Sequence, residues 1–170
     1  MLSDQPRTTR TVLGIGTIIH GAFLIGVSVV TLPAALRVAE ILYAEDFDRA
    51  GIVPQWFGPW HLAMSHPNVL PVVFLVVGAA LVVAGVLFTK GGGLRAHQWL
   101  EGALLSAMAC CLILAVALTP LSNMGGDWTR GVPAYDLSRT VIASTVAVWV
   151  DLVLLVATAV IVKRTRGQFA

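Results

Sequence analysis

Four long apolar runs, at about 11–32, 69–88, 98–118 and 140–162, constrain this chain more than any other feature. Twenty helical residues, at 1.5 Å each, cross a hydrocarbon core roughly 30 Å thick, and each run has about that length. All four are nearly free of charge. The expected fold is all-α: an integral membrane, antiparallel four-helix bundle, with an external cap between helices 1 and 2. Composition agrees, since only 12% of the 170 residues are charged and 57% are hydrophobic. Soluble domains usually carry about 25% charged residues. The length suits one membrane domain over 1–170, with no room for a second sizeable one.

The basic residues give an orientation. Arg7 and Arg10 precede the first run, Lys90 and Arg95 lie between the second and third, and Lys163, Arg164 and Arg166 follow the fourth. All fall on one side of an even-numbered bundle, against Arg37, Arg49, Arg130 and Arg139 on the other. The positive-inside rule then puts both termini in the cytoplasm, as a multi-pass protein of the plasma membrane. Nine Arg against two Lys, with abundant Ala, Val and Gly, points to a bacterial inner membrane. The first run exceeds the 7–15 residues of a signal-peptide core, so an uncleaved first helix is expected. Because the net charge of +2 is concentrated at the membrane edges, no nucleic-acid partner is expected.

The connections follow. A cytoplasmic turn at about 89–97 is built on Gly91, Gly92 and Gly93, which reads as a linker rather than a phosphate loop. External loops are expected at about 33–68 and 119–139. In the first, Pro33 opens an external helix or a kinked continuation of the first span. Beyond it lies the aromatic stretch around Trp56 and Trp60, which fits an interfacial belt. The second is rich in Pro and Gly and holds Trp128.

Few residues inside the runs could carry chemistry. Asp151 lies about 16 Å from the cytoplasmic edge, near mid-membrane, where an aspartate costs at least about 2.5–3.5 kcal/mol. It should face protein or water, and Ala143, Ala147 and Asp151 form an i, i+4 stripe that would pack closely. His20, at roughly 13 Å from the same edge, matches it in depth, with Gly16 one turn earlier on a small face. The pair reads as a polar clamp between helices 1 and 4, or as a protonatable pair on a proton or ligand path. Glu101 lies about 6 Å from the inner edge and is i, i+4 to His97, which fits helix capping or a quinone or lipid-headgroup site. A bis-histidine haem is disfavoured, because His20 and His97 differ in depth by roughly 13 Å. His61 and His66 fix no metal geometry, so neither a metal nor another cofactor is expected. Cys110 and Cys111 are adjacent and cannot sensibly bridge each other. With Gly102, Ser106, Ala103 and Ala107 they form a broad small face. If Asp151 points inward, Trp149 points to lipid or another subunit.

Four spans, a large first loop, a short inner turn and a smaller second loop resemble the claudin-type tetraspan layout. The stretch Trp56-Phe57-Gly58-Pro59-Trp60 is similar to the Trp and Gly-Leu-Trp elements of that family's first loop. The family's paired loop cysteines are absent and the tryptophan spacing differs, so no function is carried over. Disulfide-forming quinone reductases share the four-span layout, but need external cysteines that this chain lacks.

The leading expectation is a non-catalytic accessory or scaffold subunit of a larger membrane complex. Its partners would be the lipid bilayer and other integral membrane subunits or further copies, met through Trp56, Trp60, Trp128 and Trp149. One alternative is a small transporter or proton-linked enzyme using Asp151 and His20, with Glu101 at its inner mouth. Another is a receptor-like or adhesion protein binding a lipid or peptide through the external cap.

Overall fold

The computed structural model describes residues 5–37, 69–91, 94–128 and 135–169, and the surroundings of side chains within 7–37, 69–91, 95–119 and 139–165. Among them every residue except Gly91 is helical. Helix α1 spans Gln5–Gly26 and passes through a π-helical turn, Val27–Thr31, into α-helix over 32–37. Helices α2 (Val69–Lys90), α3 (Leu94–Trp128) and α4 (Tyr135–Phe169) follow. Four segments, Arg7–Arg37, Val69–Lys90, Arg95–Thr119 and Arg139–Thr165, are long and apolar enough to cross a membrane.

The helices run further than the apolar runs alone predict. Helix α3 continues through Pro120 to Trp128 and α4 starts at Tyr135, so much of the stretch expected as a turn-rich loop is helical. The inner turn is also shorter, because α2 reaches Lys90 and α3 begins at Leu94. Glycine and polar residues weaken a helix without forbidding it when a long apolar segment already fixes its direction. The first connection begins as a helical continuation of α1 through residue 37. Pro33 has no N–H to give, and its ring crowds the carbonyl one turn back. The π turn lies just ahead of it, with the Leu32 N–H bonded to the Val27 carbonyl.

The interior is a set of 3–4-spaced seams. On α2 the buried residues are Phe74, Gly78, Leu81, Ala84, Gly85 and Phe88. On α3 they include His97, Leu100, Leu104, Ala107, Cys111, Leu114 and Leu118. Alternating steps of three and four keep one narrow face toward a neighbour, the repeat of shallow helix crossings. Packing is most extensive between α1 and α2 and between α3 and α4, less so between α2 and α3, and thinnest between α1 and α4.

A glycine ladder sets the closest of these contacts. A Cβ built on Gly14 would meet the Thr89 side chain, and would stand 2.9 Å from the Gly85 carbonyl oxygen. One built on Gly21 would stand 2.6 Å from the Gly78 carbonyl oxygen. Two turns further on, the Ser28 hydroxyl donates to the Pro71 carbonyl at 2.6 Å. Steps of seven on α1 (Gly14, Gly21, Ser28) thus meet steps of seven on α2 (Gly85, Gly78, Pro71).

The small-residue faces expected from sequence are therefore partly misplaced. Gly16 is half-buried, and a side chain built there would meet nothing within 4 Å. On α4 the buried stripe runs through Val141, Thr145, Val148, Asp151 and Leu155, while Ala143 faces outward. On α3, Ala107 and Cys111 turn inward, but Gly102 and Ser106 are exposed. On α4 the large and β-branched side chains mark the buried stripe, because they bury more area than alanine. Alanine costs little on either face, so its spacing marks a seam poorly.

Candidate functional site

The deepest polar constellation joins α1, α3 and α4. His20 projects from the buried seam of α1, one residue before Gly21, where α1 already lies against α2. Asp151 projects from the buried seam of α4, between Val148 and Leu155. Their side chains are only 8% and 9% exposed, and His20 Nδ1 lies 2.6 Å from Asp151 Oδ1. The two residues placed at matched depth by counting along the helices are in contact.

Two neighbours complete the arrangement. The Cys111 thiol of α3 donates to Asp151 Oδ2 at 3.7 Å. Thr158, two turns along α4 from Asp151, has its Oγ1 at 3.4 Å from His20 Nε2. The Thr158 hydroxyl proton is already directed at the Leu154 carbonyl, at 2.8 Å. Its oxygen can accept from Nε2 where the ring carries its hydrogen on that nitrogen. A hydrogen-bonded partner offsets part of the penalty that a lone carboxylate meets in an apolar interior.

This order of groups limits the chemistry. The carboxyl group stands between thiol and imidazole, whereas an activated thiol needs its base beside it. Among the described residues no three His, Cys, Asp or Glu side chains are grouped to hold a metal ion. Sequence reasoning missed Cys111 and Thr158 as partners, having read the cysteines as packing residues. The available signal was spacing: Thr158 lies seven residues from Asp151, and so shares its face of the helix.

Further along the same seam, Thr31 Oγ1 and Ser144 Oγ hydrogen-bond at 2.9 Å. Thr31 closes the π turn, so a second polar link between α1 and α4 falls where the helix is locally widened. Elsewhere, Glu101 is half-buried near the start of α3, with Oε1 3.4 Å from His97 Nε2. It lies beyond the first turn of a helix that begins at Leu94, so the partial positive charge of the helix terminus reaches it weakly. The His97 ring is buried and tilts against Phe88 of α2, with centroids 5.8 Å apart. Trp149 is 41% exposed on the outer face of α4, and its indole N–H donates to Thr119 Oγ1 of α3 at 3.1 Å. Trp128 ends α3, with its side chain outside the described set, and Trp56, Trp60, His61 and His66 lie wholly outside the described residues. Two outer grooves, one between α2 and α3 and one between α3 and α4, include neither His20 nor Asp151 in their linings.

No protein family, curated protein or solved structure matches the chain.

Proposed function

We propose that this is a four-span membrane protein acting as a non-catalytic accessory or scaffold subunit of a larger membrane complex. The antiparallel arrangement is supported by cross-contacts that run in opposite senses: Gly14 with Gly85 and Gly21 with Gly78, then His20 with Asp151 and Thr31 with Ser144. Membrane insertion is supported by outward-facing Val12, Ile19, Val72, Leu105, Val153 and their neighbours, each about half exposed or more. Water would not tolerate so continuous an apolar surface, whereas acyl chains are its natural solvent. The distribution of Arg and Lys supports cytoplasmic termini, and the excess of Arg over Lys with abundant Ala, Val and Gly supports a bacterial inner membrane.

One observation carries the scaffold reading. The deepest ionisable pair is closed on itself through His20, Asp151, Cys111 and Thr158. A group used for transport or catalysis must be reachable by its substrate, and this pair is turned inward to hold α1 to α4. Among the described residues, the outer surface of the helices is the face offered to a partner. Gentle detergent extraction followed by size analysis and identification of co-purifying proteins tests this. A larger assembly with other membrane subunits is the expected result, and a monomer surrounded only by lipid overturns it.

The 2.6 Å contact between two titratable groups favours a second reading, a small proton-linked transporter or enzyme. That reading requires Asp151→Asn to abolish proton-coupled flux in vesicles while fold and assembly persist. The clamp reading requires the same variant to weaken the bundle itself.

A further inference from the structure

We infer that the groove between α2 and α3 binds the acyl chains of an anionic phospholipid, whose phosphate sits against Arg95. The inference rests on the reading that the chain spans a membrane. The groove has a volume of about 880 Å³, within the roughly 300–1,000 Å³ of ligand pockets generally. Its walls are apolar, from Val76, Val83 and Leu87 on one side to Ala103 on the other. Gly102 lines it as well, and a Cβ built there would meet nothing within 4 Å. That missing side chain leaves space for a chain of methylenes.

The polar groups lie at one end. Arg95 and Gln98 line the groove where α3 begins, and both are exposed. Lys90, the last residue of α2, stands at the same end of the helix pair. The exposed Trp99 adds an amphipathic ring at the level of the headgroups. An apolar trough capped by a guanidinium and an amide donor complements a phosphodiester with hydrocarbon below it. Basic pockets between transmembrane helices on the cytoplasmic side recognise anionic headgroups in this way. The groove between α3 and α4 differs, since Glu101 and Lys163 both line it and their charges oppose. Of these two grooves, selectivity for a net anion is therefore assigned to the one between α2 and α3.

The test uses the full chain in nanodiscs of equal parts phosphatidylcholine and phosphatidylglycerol with identical acyl chains. Native mass spectrometry then counts the lipids retained on release. Wild type should keep phosphatidylglycerol over phosphatidylcholine by about fivefold, the contribution of one basic residue at an anionic surface. Arg95→Gln should erase the preference and Arg95→Lys should keep most of it. Gly102→Leu should fill the trough and lower retention of both lipids, in a helix that Leu favours over Gly. Equal retention by wild type, or a preference that survives Arg95→Gln, overturns the proposal. So does a Gly102→Leu variant that keeps its lipid but loses self-association or a partner, because the groove then holds a helix. Failure of the membrane reading is distinguishable, since the chain would stay in solution when both detergent and lipid are withheld.

Discussion

His20 and Asp151 meet at 2.6 Å across the α1–α4 seam, the thinnest of the contacts between neighbouring helices. The bond thus holds together the weakest contact between neighbouring helices. Removing one partner leaves the other buried with only the weaker Cys111 or Thr158 contact, a loss on the order of 3–5 kcal/mol. His20→Leu and Asp151→Leu should each destabilise the bundle by that order. The double variant replaces both polar groups with hydrocarbon and should recover most of the loss. Thermal or denaturant unfolding in a fixed detergent measures all three. Losses that simply add would remove the clamp from the account, because contacting partners must couple.

The glycine ladder makes a second prediction. A methyl on Gly21 must displace the Gly78 carbonyl oxygen at 2.6 Å and the Val82 backbone nitrogen at 2.9 Å. Backbone cannot swing aside as a side chain can, so α1 and α2 would have to separate. Gly21→Ala and Gly78→Ala should each cost about 1–3 kcal/mol, the usual scale of overpacking. Gly16→Ala and Gly26→Ala meet nothing within 4 Å and act as controls. They should be neutral, or stabilising by up to about 1 kcal/mol through helix propensity. Melting temperatures of the four variants separate close approach from a general intolerance of glycine replacement.

These two features mark how far the sequence can be read. Nearly charge-free runs of the right length mark out the four helices, because apolar length is a property of local sequence. Depth along a helix is also local, at 1.5 Å per residue, and it brings His20 and Asp151 to one level. Rotation about the helix axis is not local. Ala143, Ala147 and Asp151 share an i, i+4 stripe, yet Ala143 faces outward and Thr145 is buried. When almost every residue is apolar, a helix has little amphipathic pattern to orient it. The informative pattern was instead the recurrence of small residues every seven positions in two runs, Gly14 to Gly21 to Ser28 and Gly78 to Gly85. Cys111 and Thr158 escaped for a related reason, since their role exists only once α1, α3 and α4 are in register.

Orientation is open to direct measurement. Helix α4 continues to Phe169 and carries Lys163 and Arg164 just beyond its apolar part. With both termini cytoplasmic, a fluorescent protein that matures only in the cytoplasm should report from either end. A periplasm-dependent phosphatase should be silent at both and active when inserted after residue 131. The opposite pattern would invert the topology, and with it the leaflet that Arg95 faces.

Trp149 supplies a last prediction, about what surrounds the bundle. Its ring is 41% exposed while its indole N–H is held by Thr119 Oγ1 at 3.1 Å. Without that acceptor the N–H would lie in hydrocarbon, so Thr119→Val should cost about 1 kcal/mol and shift the Trp149 emission. A background with the other four tryptophans replaced by phenylalanine isolates the signal. In the isolated protein, phospholipids brominated in the acyl chain should quench this emission, because the exposed ring edge meets lipid. In the assembled complex, quenching should fall if the outer face of α4 is the surface that receives a partner. Equal quenching in both states would leave α4 facing lipid and move the partner surface to another helix. The indole therefore reports on the two expectations separately: its hydrogen bond on the α3–α4 seam, and its exposed edge on what lies beyond it.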